Sequence, residues 1–248
     1  MSIAEKLTTI AENEQKVYNA GYEKGKFESG DTEEAYNNGF EDGKQSEYET
    51  FWEMVLENNN WGYRFAGKSW TDQNFKPIKN ITPINRATGM FSETGIKDIR
   101  GICERLGIII DLSNTTNTST FFADSAVEYF GVMDLRKHTT LNSCLFNAVN
   151  LIEVDKVVLK DDGSQIFTSF ANNCNNLTKI IFEGVIGKNI SFAQSSKLTK
   201  ESLDSIILAL KDFSGTTTTA TLTLHATAKA KLTEADIATI TQKGWTLA

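Results

Sequence analysis

The chain has 248 residues, 40% of them apolar and 23% charged, and a net charge of −7. That is enough apolar material for a buried core and too much for a disordered tail. The acidic balance opposes nucleic-acid binding, which needs a basic face, and no apolar run is long enough to expect membrane insertion.

His138 and His225 are the only histidines, too few for a His-rich metal site and a thin supply for a His-dependent triad. The cysteines are Cys103, Cys144 and Cys174, an odd and sparse set with no CxxC pair. They read as small buried thiols, not as a disulfide framework or zinc ligands. The first residues, MSIAEKLTTIAENEQK, lack the basic start and unbroken apolar stretch of a secretory signal. GxSxG, HExxH, P-loop and EF-hand patterns are absent, and Asp161-Asp162-Gly163 lacks the alternating acidic ligands of a calcium loop and reads as a turn. The expectation is a protein that is not an enzyme and uses no metal or cofactor.

Residues 1–60 hold fourteen Asp/Glu against five Lys, whereas the rest of the chain is near neutral. That asymmetry sets a boundary near residue 60. Ile3, Leu7, Ile10 and Val17 form a narrow apolar stripe at helical spacing, more like a coiled-coil seam than a core helix. YNAGYEKGK (18–26) then recurs as YNNGFEDGK (36–44), an offset of five helical turns. Gly21, Gly25, Gly39 and Gly43 would clear one flat helical strip for oligomerisation or anchoring, or else two shorter helices break at Gly30-Asp31. Each such glycine costs about 1 kcal/mol relative to alanine, so the strip needs a reason. Residues 46–58 predict another helix, with Phe51, Trp52, Val55 and Leu56 on its apolar side.

Seven aromatics lie between Phe51 and Phe75, among them Trp61 and Trp70. They read as a seam between two units, or as a ligand platform on which sugars stack. Pro77 and Pro83 follow and favour extended chain. Residues 61–100 are therefore an aromatic-rich junction and linker.

The strongest pattern lies in 108–203. Phe122, Phe146, Phe170 and Phe192 recur at 24, 24 and 22 residues, and Leu112, Leu135, Leu159 and Phe182 run in step. A third column is Val127, Leu151, Leu177 and Leu198. Periods of this length predict a leucine-rich-repeat-like solenoid whose stacked strands are GIIIDL (107–112), GVMDL (131–135), KVVL (156–159) and KIIF (179–182). Asn172, Asn173, Asn175 and Asn176 suit a bend. A helix capped by Thr199, an alternating strand at 219–225, a helix from Thr233 closed at Gly244 and a last strand, WTLA, predict a C-terminal cap.

On these residues the repeat resembles the BspA-type leucine-rich repeats. The closing stretch from LTKESLDSIILALKDF to ITQKGWTLA is similar to the C-termini of repeat proteins from phage and prophage structural modules. EYETFWEMVLENNNWGYRFAGKSWTDQNFKP resembles the start of those proteins. The resemblance implies a virion component, such as a tail fibre, baseplate or capsid appendage, assembled in the host cytoplasm. It carries no catalytic motif. The few, irregular repeats and the long acidic N-terminus depart from that family.

The fold expected is α+β: a helical, coiled-coil-like segment (1–60), the junction (61–100), and a short solenoid with an α/β C-terminal cap (101–248). The function expected is a non-enzymatic virion structural protein, with a carbohydrate- or protein-binding receptor-recognition module as the alternative. Its partners would be other virion proteins and itself, as a homo-oligomer for which fibres suggest a trimer, and in the alternative a host-surface glycan or protein.

Overall fold

The structure, a computed structural model, describes residues 64–73, 75, 77, 80–81 and 84–248. Strands form where β-branched and aromatic residues cluster. The first three are β1 (Tyr129–Asp134), β2 (Glu153–Val158) and β3 (Lys179–Glu183). They are parallel, in the order β1-β2-β3, with Tyr129 opposite Glu153 and Glu153 opposite Lys179. A second parallel sheet, in the order β4-β5-β6, comprises β4 (Ile190–Phe192), β5 (Ala220–Leu224) and β6 (Trp245–Leu247). The helices are α1 (Ile99–Leu106), α2 (Lys200–Ala209), α3 (Ala226–Lys229) and α4 (Glu234–Gln242). Thr199 caps α2, and Thr233 caps α4 through a capping box with Asp236.

Away from the strands the chain runs through tight turns that bond to the next unit. Phe91 N–H donates to Phe121 O at 3.0 Å, Thr120 N–H to Ser143 O at 2.9 Å, and Leu145 N–H to Phe170 O at 2.8 Å. Each run holds two left-handed residues four apart: Thr120 and Asp124, Ser143 and Asn147, Ser169 and Asn173. A non-glycine residue in that region costs about 1–2 kcal/mol. A polar ladder offsets the cost. The Asn147 amide donates to the Asp124 carboxylate, Asn173 Nδ2 donates to Asn147 Oδ1 at 3.1 Å, and Asn173 N–H donates to Gln194 Oε1 at 2.6 Å.

The core lies inside these turns. Leu112, Phe122, Leu135, Leu159, Phe170, Phe182 and Phe192 are buried, as are Val127, Leu151, Leu177 and Leu198. Phe146 is only half-buried, and its neighbour Leu145 is fully buried in its place. From the expected junction, Phe65 and Phe75 are fully buried; Phe65 stacks on Phe91 and Phe75 meets it edge-on, and Phe91 meets Phe121, Phe122 and Phe130 in turn. Truncating one such ring to alanine costs about 3–5 kcal/mol.

The expected α+β solenoid is corrected by this topology. Among the described residues both three-stranded sheets are parallel and four helices flank or separate their strands, so the class is α/β. The strand ladder stops at β3, and the Phe192 strand opens a separate sheet with two C-terminal strands instead of adding a fourth rung. The stretch expected to be a terminating cap thus builds a sheet of its own. At the other end, 107–112 does not join β1; Ile110 alone makes a bridge, to Ile81. The period recorded the spacing of buried side chains. Pairing depends instead on which backbone edges stay free, and helices intervene at both ends of the ladder.

At β3 the intervention is chemical. Ile180 N–H donates to Ser202 Oγ at 3.0 Å and Phe182 N–H to Ser205 Oγ at 2.8 Å. Ser202 Oγ also donates to Thr178 O at 3.1 Å. Two α2 serines therefore satisfy the outer edge of β3, which would otherwise be a template for another strand. The coiled-coil-like segment 1–60 lies outside the described residues. Among the described residues the longest helix is α2, ten residues, and no helix is long and apolar enough to cross a membrane.

Candidate functional site

Two concave surfaces stand out among the described residues. The first is a largely apolar cleft of about 430 Å³ between α1, the following segment 107–110 and β1. The Asp98 carboxylate starts α1 by accepting from Gly101 N–H at 2.7 Å, and Gly107, at φ 65°, ends it. Ile99 and Ile102 anchor the helix, and Ile99, Arg100, Cys103 and Glu104 line the cleft. Arg100 ties it to β2 through Glu153 at 2.9 Å and Asp155 at 2.5 Å, and lies over the Tyr129 ring at 5.0 Å. In the cleft Ile109 and Val132 are 62% and 51% exposed.

The second is a groove of about 800 Å³ over the second sheet, with a mixed polar and apolar lining. Ser191 pairs with Thr223 and Thr221 with Thr246, which puts four hydroxyls on the face opposite the buried Phe192, Leu222, Leu224 and Trp245. Asn189 Oδ1 holds the Thr221 N–H at 2.8 Å beside them.

Burial perturbs the three thiols and one of the two histidines. Burial pushes the Cys103 thiol up to about 12, with Asp98 and Glu104 adding to the shift. Cys144 Sγ donates to Thr118 Oγ1 at 3.3 Å, which lies 3.3 Å from His138 Nε2. This Cys–Thr–His chain is buried: the Cys144 thiol is pushed up to about 12 and His138 down to about 4, both by desolvation. Cys174, also pushed up to about 12 by burial, donates to Leu145 O at 2.9 Å. His225 caps α3, its Nδ1 accepting from Thr227 N–H at 3.1 Å. Among the described residues no cluster of His, Cys, Asp and Glu could hold a metal ion.

The residues singled out in the sequence fall in three places. Ile3, Leu7, Ile10, Val17, Gly21, Gly25, Gly39, Gly43 and Trp61 lie outside the described residues. Trp70 is half-buried and set edge-on to Phe65 at 5.2 Å, so part of its ring is committed to packing. The buried columns line the core and touch neither surface's chemistry, except that Phe130, their neighbour, floors the apolar cleft. Within the Thr-rich run 113–120, Thr115 and Thr118 are buried and bonded inside. The sequence reading missed α1 and Arg100. The signal was present: an Asp98 cap, an apolar pair at 99 and 102, and a closing Gly107. No protein-family model matches the chain, and no curated protein or solved structure matches it.

Proposed function

We propose that the chain is a non-enzymatic structural component of a phage particle, a fibre, baseplate or capsid appendage. Residues 1–60 assemble or anchor it, as a homo-oligomer or on another virion protein, and the α/β region is displayed for contact. The reading rests on the phage-like C-terminal stretch quoted above, and the apolar cleft with its exposed Ile109 and Val132 supports it as a contact surface. The sealing of Cys144 and His138 fits a role without nucleophilic chemistry. Immunogold labelling of intact particles with antibody to the full chain tests it: regular labelling at one site of the particle is expected, and unlabelled particles would contradict it.

A second reading, recognition of a host-surface glycan, is favoured by the hydroxyl face over Ser191, Thr221, Thr223 and Thr246. Glycan-array binding lost on changing Thr221 and Thr223 to valine, with folding intact, would support it. Binding that survives the change would remove it.

A further inference from the structure

The apolar cleft lies between α1, the segment 107–110 and the outer edge of β1, the edge that does not pair with β2. On one wall Ile109 N–H donates to Asn80 Oδ1 at 2.9 Å, Ile109 O accepts from Ile81 N–H at 2.9 Å, and Asp111 N–H donates to Ile81 O at 3.2 Å. Successive residues of an extended chain turn their backbone groups to opposite sides. Ile110 therefore turns its N–H and C=O away from Ile81, toward the cleft. On the other wall Tyr129 N–H donates to Lys97 O at 3.2 Å, on the side away from β2. By the same alternation Gly131 turns its backbone groups to that side, and it lines the cleft with open space where a side chain would stand. The segment 94–98 reaches β1 only at the isolated Asp98–Tyr129 bridge, after which α1 begins.

The charge at the rim is one-sided. Arg100, Glu104 and Asp155 line the cleft and Glu153 stands behind Arg100, so one guanidinium faces three carboxylates. Arg100 is already engaged by Glu153 and Asp155, whereas Glu104 is exposed.

We propose that this cleft accepts one extended strand of a partner protein, apolar at alternate residues and carrying a lysine or arginine. The strand would pair with the backbone of Ile110 and Gly131, lay its apolar residues against Ile109 and Val132, and set its cation by Glu104. This is addition of a strand to an open edge, with main-chain bonds supplying affinity and alternate side chains supplying selection. The inference stands on the cleft and does not require the chain to be a virion protein.

The test uses the full chain and a fluorescent capped heptapeptide, Val-Thr-Val-Lys-Val-Thr-Val, read by anisotropy. Two matched peptides carry Glu in place of Lys, or N-methyl groups on alternate residues. The Lys peptide is expected to bind, the Glu peptide about tenfold more weakly or worse, and the N-methylated peptide not at all. Ile109→Lys, at an exposed position, should abolish binding with an unchanged circular dichroism spectrum, and Glu104→Gln should reduce it. Absence of Lys-peptide binding would overturn the proposal, as would equal binding of the N-methylated peptide. Binding indifferent to Ile109→Lys would place the peptide elsewhere. Dissociation of an oligomer by Ile109→Lys would show that a second copy of the chain, not a partner, fills the cleft.

Discussion

Removing the two serines that close β3 should unravel the edge of the first sheet. Ser202 is fully buried, and its hydroxyl serves both Ile180 N–H and Thr178 O. In Ser202→Ala the Ile180 N–H loses its partner in a site where water cannot replace it, while Thr178 O keeps the Thr199 N–H at 2.9 Å. A buried group left without its partner costs about 1–3 kcal/mol. Ser205→Ala strips only Phe182 N–H, in a less buried position, and belongs at the lower end. The double variant should therefore lose about 2–5 kcal/mol, a large share of the ~5–15 kcal/mol that a domain typically has. Urea unfolding is the assay: the midpoint should fall with the slope unchanged, because the surface exposed on unfolding stays the same. Hydrogen exchange should quicken first at the Ile180 and Phe182 amides. Ser196→Ala, with no such bonds, is the control. A Ser202→Ala midpoint indistinguishable from the control would refute the idea that these hydroxyls hold the edge.

Four further outcomes follow from the same geometry. His138, buried and held down to about 4, is protonated more readily in the unfolded chain, whose histidine titrates near 6.5. Stability is thus complete above pH ~6.5 and lost as pH falls toward ~4, by up to about 3 kcal/mol; urea midpoints for His138→Gln should show a flatter slope over that window, and an identical slope would assign the loss to other groups. Lys243 Nζ donates to Ile207 O, Leu208 O and Leu210 O at 2.9, 3.1 and 2.9 Å, closing the C-terminal end of α2. Lys243→Met should cost about 2 kcal/mol in thermal or urea unfolding, and a neutral result would mean that those carbonyls are satisfied by water. A side chain at Gly187 would meet Gly163 O at 2.3 Å, a backbone atom that cannot move cheaply; Gly187→Ala should cost about 2–4 kcal/mol, or leave the chain insoluble. Finally, all three thiols should react slowly with a disulfide reagent at pH 8 in the native protein and fast in urea, since burial holds each near 12. Rapid native labelling of Cys144 would contradict its burial.

Local chemistry was readable where it is carried by a few adjacent residues. Thr199 and Thr233 announce their helices, and the alternation of 220–224 announces β5. The columns of large apolar residues pointed to buried positions, with Phe146 displaced by Leu145. The sheet arrangement was not readable from that period. Whether a strand finds a neighbour depends on distant groups, such as Ser202 and Ser205 at β3, which in sequence look like ordinary helix residues. The left-handed positions were equally silent, because Thr120, Ser143 and Ser169 are not residues that favour that region. The apolar cleft arises where the eight-residue helix α1 and the segment after it lie beside β1, an arrangement that local sequence does not announce.

The most direct test of the proposed role is mass spectrometry of gradient-purified phage particles released by the strain that encodes the chain. Peptides from both residues 1–60 and the α/β region should be present, at a copy number in fixed ratio to a known virion protein and set by the particle's symmetry. Particles that are complete and infectious yet lack the chain would contradict a structural role in the virion.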